Sequence, residues 1–143
     1  NVEALKRVAG DLEIGETVEV TGFEGVKEST ELYKDGKKAG TALLLSGSGY
    51  GGSFSIIAAY DNNGALMGAK MTVDSETAGL GKKAEESWYM DLFKGMGDGI
   101  SFPSAPKDLP GEQAALVSGA TVTFKGVTKA LGNGSVYIKE GAK

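Results

Sequence analysis

The sequence predicts an α+β fold, a largely antiparallel, twisted sheet flanked by helices, formed by a single domain over residues 1–143. Apolar residues recur with period two in the first half of the chain and with a helical period between residues 82 and 93. Turn signals separate the extended segments. Glycine is frequent, 23 of 143 residues, which favours tight turns and close backbone contacts.

The first elements are a short helix and a hairpin. A helix is predicted over residues 1–8, and Gly10 ends it. Residues 17–21 alternate like a strand. Two extended pieces between residues 32 and 45 flank Lys34-Asp35-Gly36, which is typical of a hairpin turn.

A second hairpin follows. A glycine loop is predicted over residues 47–52, before a strand that ends near Tyr60. Asp61-Asn62-Asn63-Gly64 supplies a turn, and residues 66–73 return along the first strand. This segment is the clearest hairpin signal in the chain.

The second half is predicted to be helical and irregular. A helix is expected over residues 82–93, and residues 95–109 have no period. A last helix is predicted over residues 123–131, with a Thr cap and Gly132 as its stop. Residues 135–138 are expected to form a closing strand.

Composition excludes several functions. The chain has no Cys and no His, so it lacks thiolate nucleophiles, Cys-ligated metal clusters and His-based catalytic triads. Its net charge of -4 argues against a nucleic-acid binder. Because the chain has no Cys and no His, any redox chemistry must come from a cofactor. An independent hydrolase is disfavoured because the usual general base is absent.

Two motifs match catalytic or binding signatures but lack the secondary structure that those signatures require. Residues 47–52 match GxGxxG, with Asp74 some twenty residues later, but residues 53–60 have the period of a strand rather than the required helix. A turn between strands is the better interpretation. Ser104 and Lys107 match SxxK, but Pro106 disfavours the helix that this pair needs.

Two further segments leave both a structural and a functional interpretation open. Residues 75–81 form either a capped helix start or a flat backbone surface against a planar ligand. Residues 118–123 form either a helix cap or an anion site at the mouth of the last helix. Lys125 and Lys129 add positive charge near the second segment.

These segments, in this order, resemble the FMN-binding domain family, which includes the G subunit of the Rnf complex and the C subunit of the sodium-pumping NADH:quinone oxidoreductase. The resemblance runs over residues 47–131. It is carried by Gly49-Tyr50-Gly51-Gly52, by residues 75–81, by Trp88 and Phe93-Lys94-Gly95, and by Ser118-Gly119-Ala120-Thr121 followed by Thr123.

The resemblance implies covalent FMN, attached through its phosphate to Thr121 by a flavin transferase. It implies further contacts in three short segments of the chain: Tyr50 and Gly51; Glu76, Thr77, Gly79, Leu80 and Gly81; Ser118, Gly119 and Ala120. Two positions depart from the family pattern, because Ala78 replaces the usual Pro and Ala115 the usual Asp. No metal and no catalytic side chain are implied.

The implied role is a redox subunit of a membrane-bound, ion-translocating oxidoreductase, at the extracytoplasmic (periplasmic or outer) face of a bacterial membrane. Partners would be neighbouring subunits, and attachment would come from an anchor that this sequence does not contain. Alternatives are a stand-alone extracytoplasmic flavin carrier or reductase, and a secreted β-rich binding module whose glycines serve only turns.

Overall fold

A computed structural model describes residues 2–49, 52–72, 87–116 and 121–141. Within these residues, five strands form one antiparallel sheet whose spatial order equals their order in the chain. They are β1 (Glu13–Glu19), β2 (Val26–Lys34), β3 (Lys37–Gly49), β4 (Gly52–Asp61) and β5 (Leu66–Thr72). The predicted α+β class with a largely antiparallel sheet is confirmed.

Helices precede and follow the sheet. They are α1 (Val2–Ala9), α2 (Ser87–Asp91), α3 (Gly111–Leu116) and α4 (Thr121–Val136), with a 3₁₀ turn at Pro106–Asp108 and a π-helical turn at Tyr137–Gly141. The short helix α3 was not predicted, because its six residues carry too few apolar positions to show a period. The helix predicted over residues 82–93 is described only from residue 87 onwards, since residues 82–86 lie outside the described residues.

Both hairpin predictions are confirmed, and their turns have the expected chemistry. Asp35 and Gly36 have φ angles of 52° and 79°, the left-handed pair that a two-residue hairpin turn requires. In the second turn the Asp61 carboxylate accepts hydrogen bonds from the amides of Asn63 (2.8 Å) and Ala65 (3.0 Å). The predicted glycine loop is shorter than expected, because Gly47 and Ser48 belong to β3 and pair with β4.

Two predictions about the C-terminal segment are wrong. Helix α4 continues through Gly132 to Val136, and residues 135–138 form its end and the π-helical turn rather than a strand. At Gly134 the reason is close packing. A Cβ on Gly134 would overlap the Tyr60 hydroxyl, which donates a 2.6 Å hydrogen bond to the Leu131 carbonyl.

The sheet is covered on both faces. Along β3 and β4 the side chains alternate, so that Leu43 and Ala58 face α4 whereas Ala42 and Ala59 face α1. The α4 side holds the larger core, which includes Tyr60, Phe93 and Phe124. The described residues include no helix long and apolar enough to cross a membrane.

Candidate functional site

The elements that flank the predicted site meet at one end of the sheet. Residues 50–51 connect β3 to β4, residues 73–86 follow β5, and residues 117–120 precede α4. Thr72 at the end of β5 pairs with Ser55 near the start of β4. The Tyr89 and Phe124 rings, from α2 and α4, lie 6.4 Å apart. The described residues that flank the three sequence motifs therefore lie in one region of the molecule.

Most predicted cofactor contacts lie outside the described residues. This holds for ten of them: Tyr50, Gly51, Glu76, Thr77, Gly79, Leu80, Gly81, Ser118, Gly119 and Ala120. Thr121 is described as the first residue of α4. The predicted start at residue 123 is therefore at least two residues too late, because residue 121 is already helical. Position 115, where Ala replaces the usual Asp, lies in α3.

Glycines seat the first half of α4 directly on β3. A Cβ on Gly126 would overlap the carbonyl oxygen of Ser48, and a Cβ on Gly47 would lie 3.2 Å from the Gly126 carbonyl oxygen. Helix and strand backbones can approach this closely only because both positions lack a side chain. The helix start is thereby held at a fixed place beside the end of β3.

An aromatic cluster fills the space below the start of α4. The Tyr89 ring packs edge-on against Trp88, Phe93 and Phe124, with centroid distances of 5.7, 6.0 and 6.4 Å. These contacts anchor α2, which follows residues 73–86, to the first turn of α4. Such edge-to-face pairs add about 0.5–1.5 kcal/mol each beyond the burial of their area.

The hydroxyl of Tyr89 is buried and has no hydrogen-bond partner among the described residues. Burial raises the pKa of Tyr89 well above its ordinary value, so the group is a neutral donor. A buried, unpaired hydroxyl costs about 1–3 kcal/mol, which a nearby acceptor would offset. Oxygen atoms of a cofactor held at the start of α4 would be such acceptors, so this cluster fits an oxygen-rich ligand. Sequence reasoning missed this residue, because a Tyr in a helical apolar stripe is normally core.

The side of α4 that faces solvent is basic. Lys125 and Lys129 are exposed and follow position 121 by one and two helical turns. They line a cavity of ≈590 Å³ together with Lys107 and the segment from Phe102 to Ala105. A helix N-terminus with lysines nearby favours an anion through both its free amides and its dipole.

The two rejected motifs serve structure. Residues 52–61 form β4, so the GxGxxG match belongs to a hairpin rather than to a strand–helix unit. The Ser104 hydroxyl donates a 3.0 Å hydrogen bond to Asp108, and Lys107 lies in the 3₁₀ turn. A Ser–Lys catalytic pair is therefore not formed. Within the described part of the chain, no cluster of acidic residues is arranged to hold a metal ion.

Lysines beside the N-terminal end of the described helix α4 and a buried hydroxyl below it fit an anionic, oxygen-rich ligand. A family model described as FMN-binding domain matches residues 49–135, more than half of the chain. The chain belongs to the FMN-binding domain family, and the resemblance inferred from its motifs is confirmed.

Two curated relatives are similar to most of the chain. One is the G subunit of the ion-translocating oxidoreductase complex of Stutzerimonas stutzeri, 34% identical over 116 residues, which cover 75% of this chain and 50% of the relative. The other is the protein of the same name from Vibrio parahaemolyticus serotype O3:K6, 27% identical over 111 residues, 75% of this chain and 53% of the relative. The chain spans about half the length of the curated relatives it matches.

Proposed function

We propose that this chain is an electron-transfer flavoprotein domain that carries FMN through a phosphoester on Thr121. The observation that carries the proposal is the position of residue 121 at the N-terminal end of the described helix α4 (Thr121–Val136). In the matched family FMN is the defining ligand. A phosphate at position 121 would lie at the end of the helix where backbone amides lack partners within the helix.

The charge around α4 supports a phosphate at this position. The helix dipole contributes about half a positive charge at its N-terminus. Lys125 and Lys129 add two full charges within two turns, and the sequence of α4 contains no acidic residue. The chain as a whole is acidic, with a net charge of -4. Helix α4 is therefore locally positive within an acidic chain.

The remaining contacts are those that the resemblance to the family implies. We expect Thr77, Gly79 and Leu80 to lie against the isoalloxazine and Tyr50 and Gly51 to border it. The Tyr89 hydroxyl would donate a hydrogen bond to an oxygen of the cofactor. Bound FMN would supply the one- and two-electron chemistry that a chain without Cys and His lacks. The protein would hold and orient the flavin and keep its ring close to the surface.

The names of the relatives support a place in a larger assembly. Both are subunits of an ion-translocating oxidoreductase complex. We propose that this domain relays electrons between neighbouring subunits of such a complex, at the extracytoplasmic face of a bacterial membrane. A flavin transferase would attach the FMN, and a membrane anchor outside this sequence would hold the domain in place.

The test is co-expression with a flavin transferase, followed by intact-mass measurement and visible absorption. The unsubstituted chain should be yellow and heavier by one FMN less one water. Thr121→Ala should abolish both properties, whereas Thr123→Ala, two residues further along the same helix, should keep them. A chain that stays colourless with an active transferase, or a Thr121→Ala chain that gains the mass, would contradict the proposal.

A further inference from the structure

The groove on the solvent side of α4 extends away from the proposed phosphoester, and it shares Lys125 and Lys129 with the surroundings of position 121. This lysine groove is bounded by the segment 102–107 on one side and by α4 on the other. Its lining residues are Phe102, Pro103, Ser104, Ala105, Lys107, Lys125, Thr128 and Lys129, and its volume is ≈590 Å³. A second cavity of ≈550 Å³ shares Phe102, Thr128 and Lys129 with it and extends the groove to Lys139.

The charged side chains that line the lysine groove are all basic. Lys107, Lys125 and Lys129 are exposed, and no acidic residue is among the described residues that line it. The ion pairs of the described residues are Lys38–Glu31 and Lys94–Asp91, so no described carboxylate forms an ion pair with the groove lysines. Asp108, whose carboxylate accepts the hydrogen bond from the groove residue Ser104, lies beside the groove and offsets part of its charge, which leaves the lysines in excess. An anionic partner would supply the missing charge.

The floor of the groove is apolar and fixed in place. Phe102 and Pro103 are half-buried. The loop that carries them is tied to the end of α4, because the Ser135 hydroxyl lies 2.8 Å from the Gly64 carbonyl oxygen and 3.2 Å from that of Gly97. The Gly97 amide closes the loop on the Ile100 carbonyl at 2.7 Å. An aromatic floor with a charged rim is the usual construction of a protein interface.

We infer that the lysine groove is the docking surface for an acidic electron-transfer protein. Lys125 lies one turn from residue 121, so a partner seated in the groove lies beside the start of α4. That the partner is a redox protein rests on the proposed function. A flat anionic membrane fits less well, because a concave groove presents few lysines to a plane and the net charge of -4 repels anionic lipid.

Complementary charge across such a surface accelerates encounter and aligns the partner, and its effect declines with salt. The test uses a fluorescently labelled plant-type ferredoxin with a strongly acidic surface as probe. Binding is measured by anisotropy at low and high ionic strength on the Thr121→Ala chain, which would carry no flavin. The docking surface is thereby tested independently of flavin attachment.

The matched variants reverse two charges on each face of the sheet. Lys125→Glu with Lys129→Glu should weaken ferredoxin binding about tenfold or more at low ionic strength and reduce its salt dependence. Lys6 and Arg7 are exposed on α1 at the opposite face of the sheet. The double variant Lys6→Glu with Arg7→Glu should change ferredoxin binding less than about twofold. Circular dichroism checks that both double variants are folded.

Three results would overturn the inference: no salt-sensitive binding by the parent chain, equal losses in both double variants, or lysine-dependent binding to phosphatidylglycerol vesicles instead of the ferredoxin. On the flavin-loaded chain, reduction by the same ferredoxin should slow in parallel with the loss of binding. If the chain never becomes flavinylated but the groove still binds the acidic probe, the proposed function and the redox role of the partner fail, and only a docking surface for an acidic protein stands.

Discussion

The face of the sheet under α4 is packed with large aromatic side chains, whereas the face under α1 is closed mainly by small ones. Phe54, Tyr60, Phe93 and Phe124 fill the first, and Ala9, Ala42 and Ala59 fill much of the second. On the α1 side a cavity of ≈160 Å³ remains beside Leu5 and Thr30. The α4 side has the close contacts that fix a helix start, which a covalent cofactor site needs. The α1 side supports the sheet with looser packing.

The largest expected effect is the removal of an aromatic ring from the tight face. Phe124→Ala should lower the free energy of unfolding by about 3–5 kcal/mol, because a fully buried ring is replaced by a cavity. Leu5→Ala on the other face should cost about 1–2 kcal/mol, since Leu5 is half-buried and already borders a cavity. Urea denaturation measures both. Equal losses would show that the two faces are packed alike.

A pair of glycine substitutions tests the same contrast at the level of the backbone. Gly126→Ala should destabilise the chain by about 1–3 kcal/mol, although Ala favours a helix, because the new methyl group overlaps the Ser48 carbonyl. Gly68→Ala is the control on the α1 side, where the nearest atom to the added Cβ is the Val8 carbonyl oxygen at 3.9 Å. Its effect should stay within about 0.5 kcal/mol. A Gly126→Ala chain more stable than the parent would show that the helix is not seated on β3.

Glycines also explain where sequence reasoning succeeds and where it fails. The hairpins could be predicted because Asp35-Gly36 and Asp61–Gly64 indicate turns locally, and the flanking strands alternate with period two. Gly132 and Gly134 carry the same local signal, yet they lie inside α4. At Gly134 the reason is the Tyr60 hydroxyl, which comes from a strand more than 70 residues away in sequence. Such tertiary contacts are invisible to a local pattern.

Some features of the candidate site could likewise be predicted from the sequence, and others could not. Position 121 could be placed at a helix mouth from the small and hydroxylated residues around it, and the structure describes the helix from residue 121 onwards. The lysine groove could not be predicted, because Lys107 and Lys125 come together only when residues 102–107 fold against α4. The surroundings of the Tyr89 hydroxyl likewise depend on what packs against it in three dimensions.

Removing the hydroxyl from each of two tyrosines on the α4 face should change the free energy of unfolding by smaller amounts and in opposite directions. Tyr60→Phe removes the buried hydrogen bond to the Leu131 carbonyl and should lower the free energy of unfolding by about 1–2 kcal/mol. Tyr89→Phe removes a hydroxyl without a partner among the described residues and should raise it by about 1 kcal/mol in the flavin-free chain. In the flavin-carrying chain this gain should shrink or reverse, because the cofactor would supply the missing acceptor. A loss of stability in the flavin-free Tyr89→Phe chain would show that the hydroxyl is already paired.

The most direct test of the central claim is the location of the flavin on the chain. Trypsin cuts after Lys107 and Lys125, so residues 108–125 form one peptide that contains Ser118, Thr121 and Thr123. Fragmentation of this peptide from the yellow, flavinylated chain distinguishes the three hydroxyls. We predict that the added mass of FMN less water lies on Thr121, the first residue of α4. Flavin on Ser118 or Thr123, or on any other peptide of the chain, would contradict this assignment.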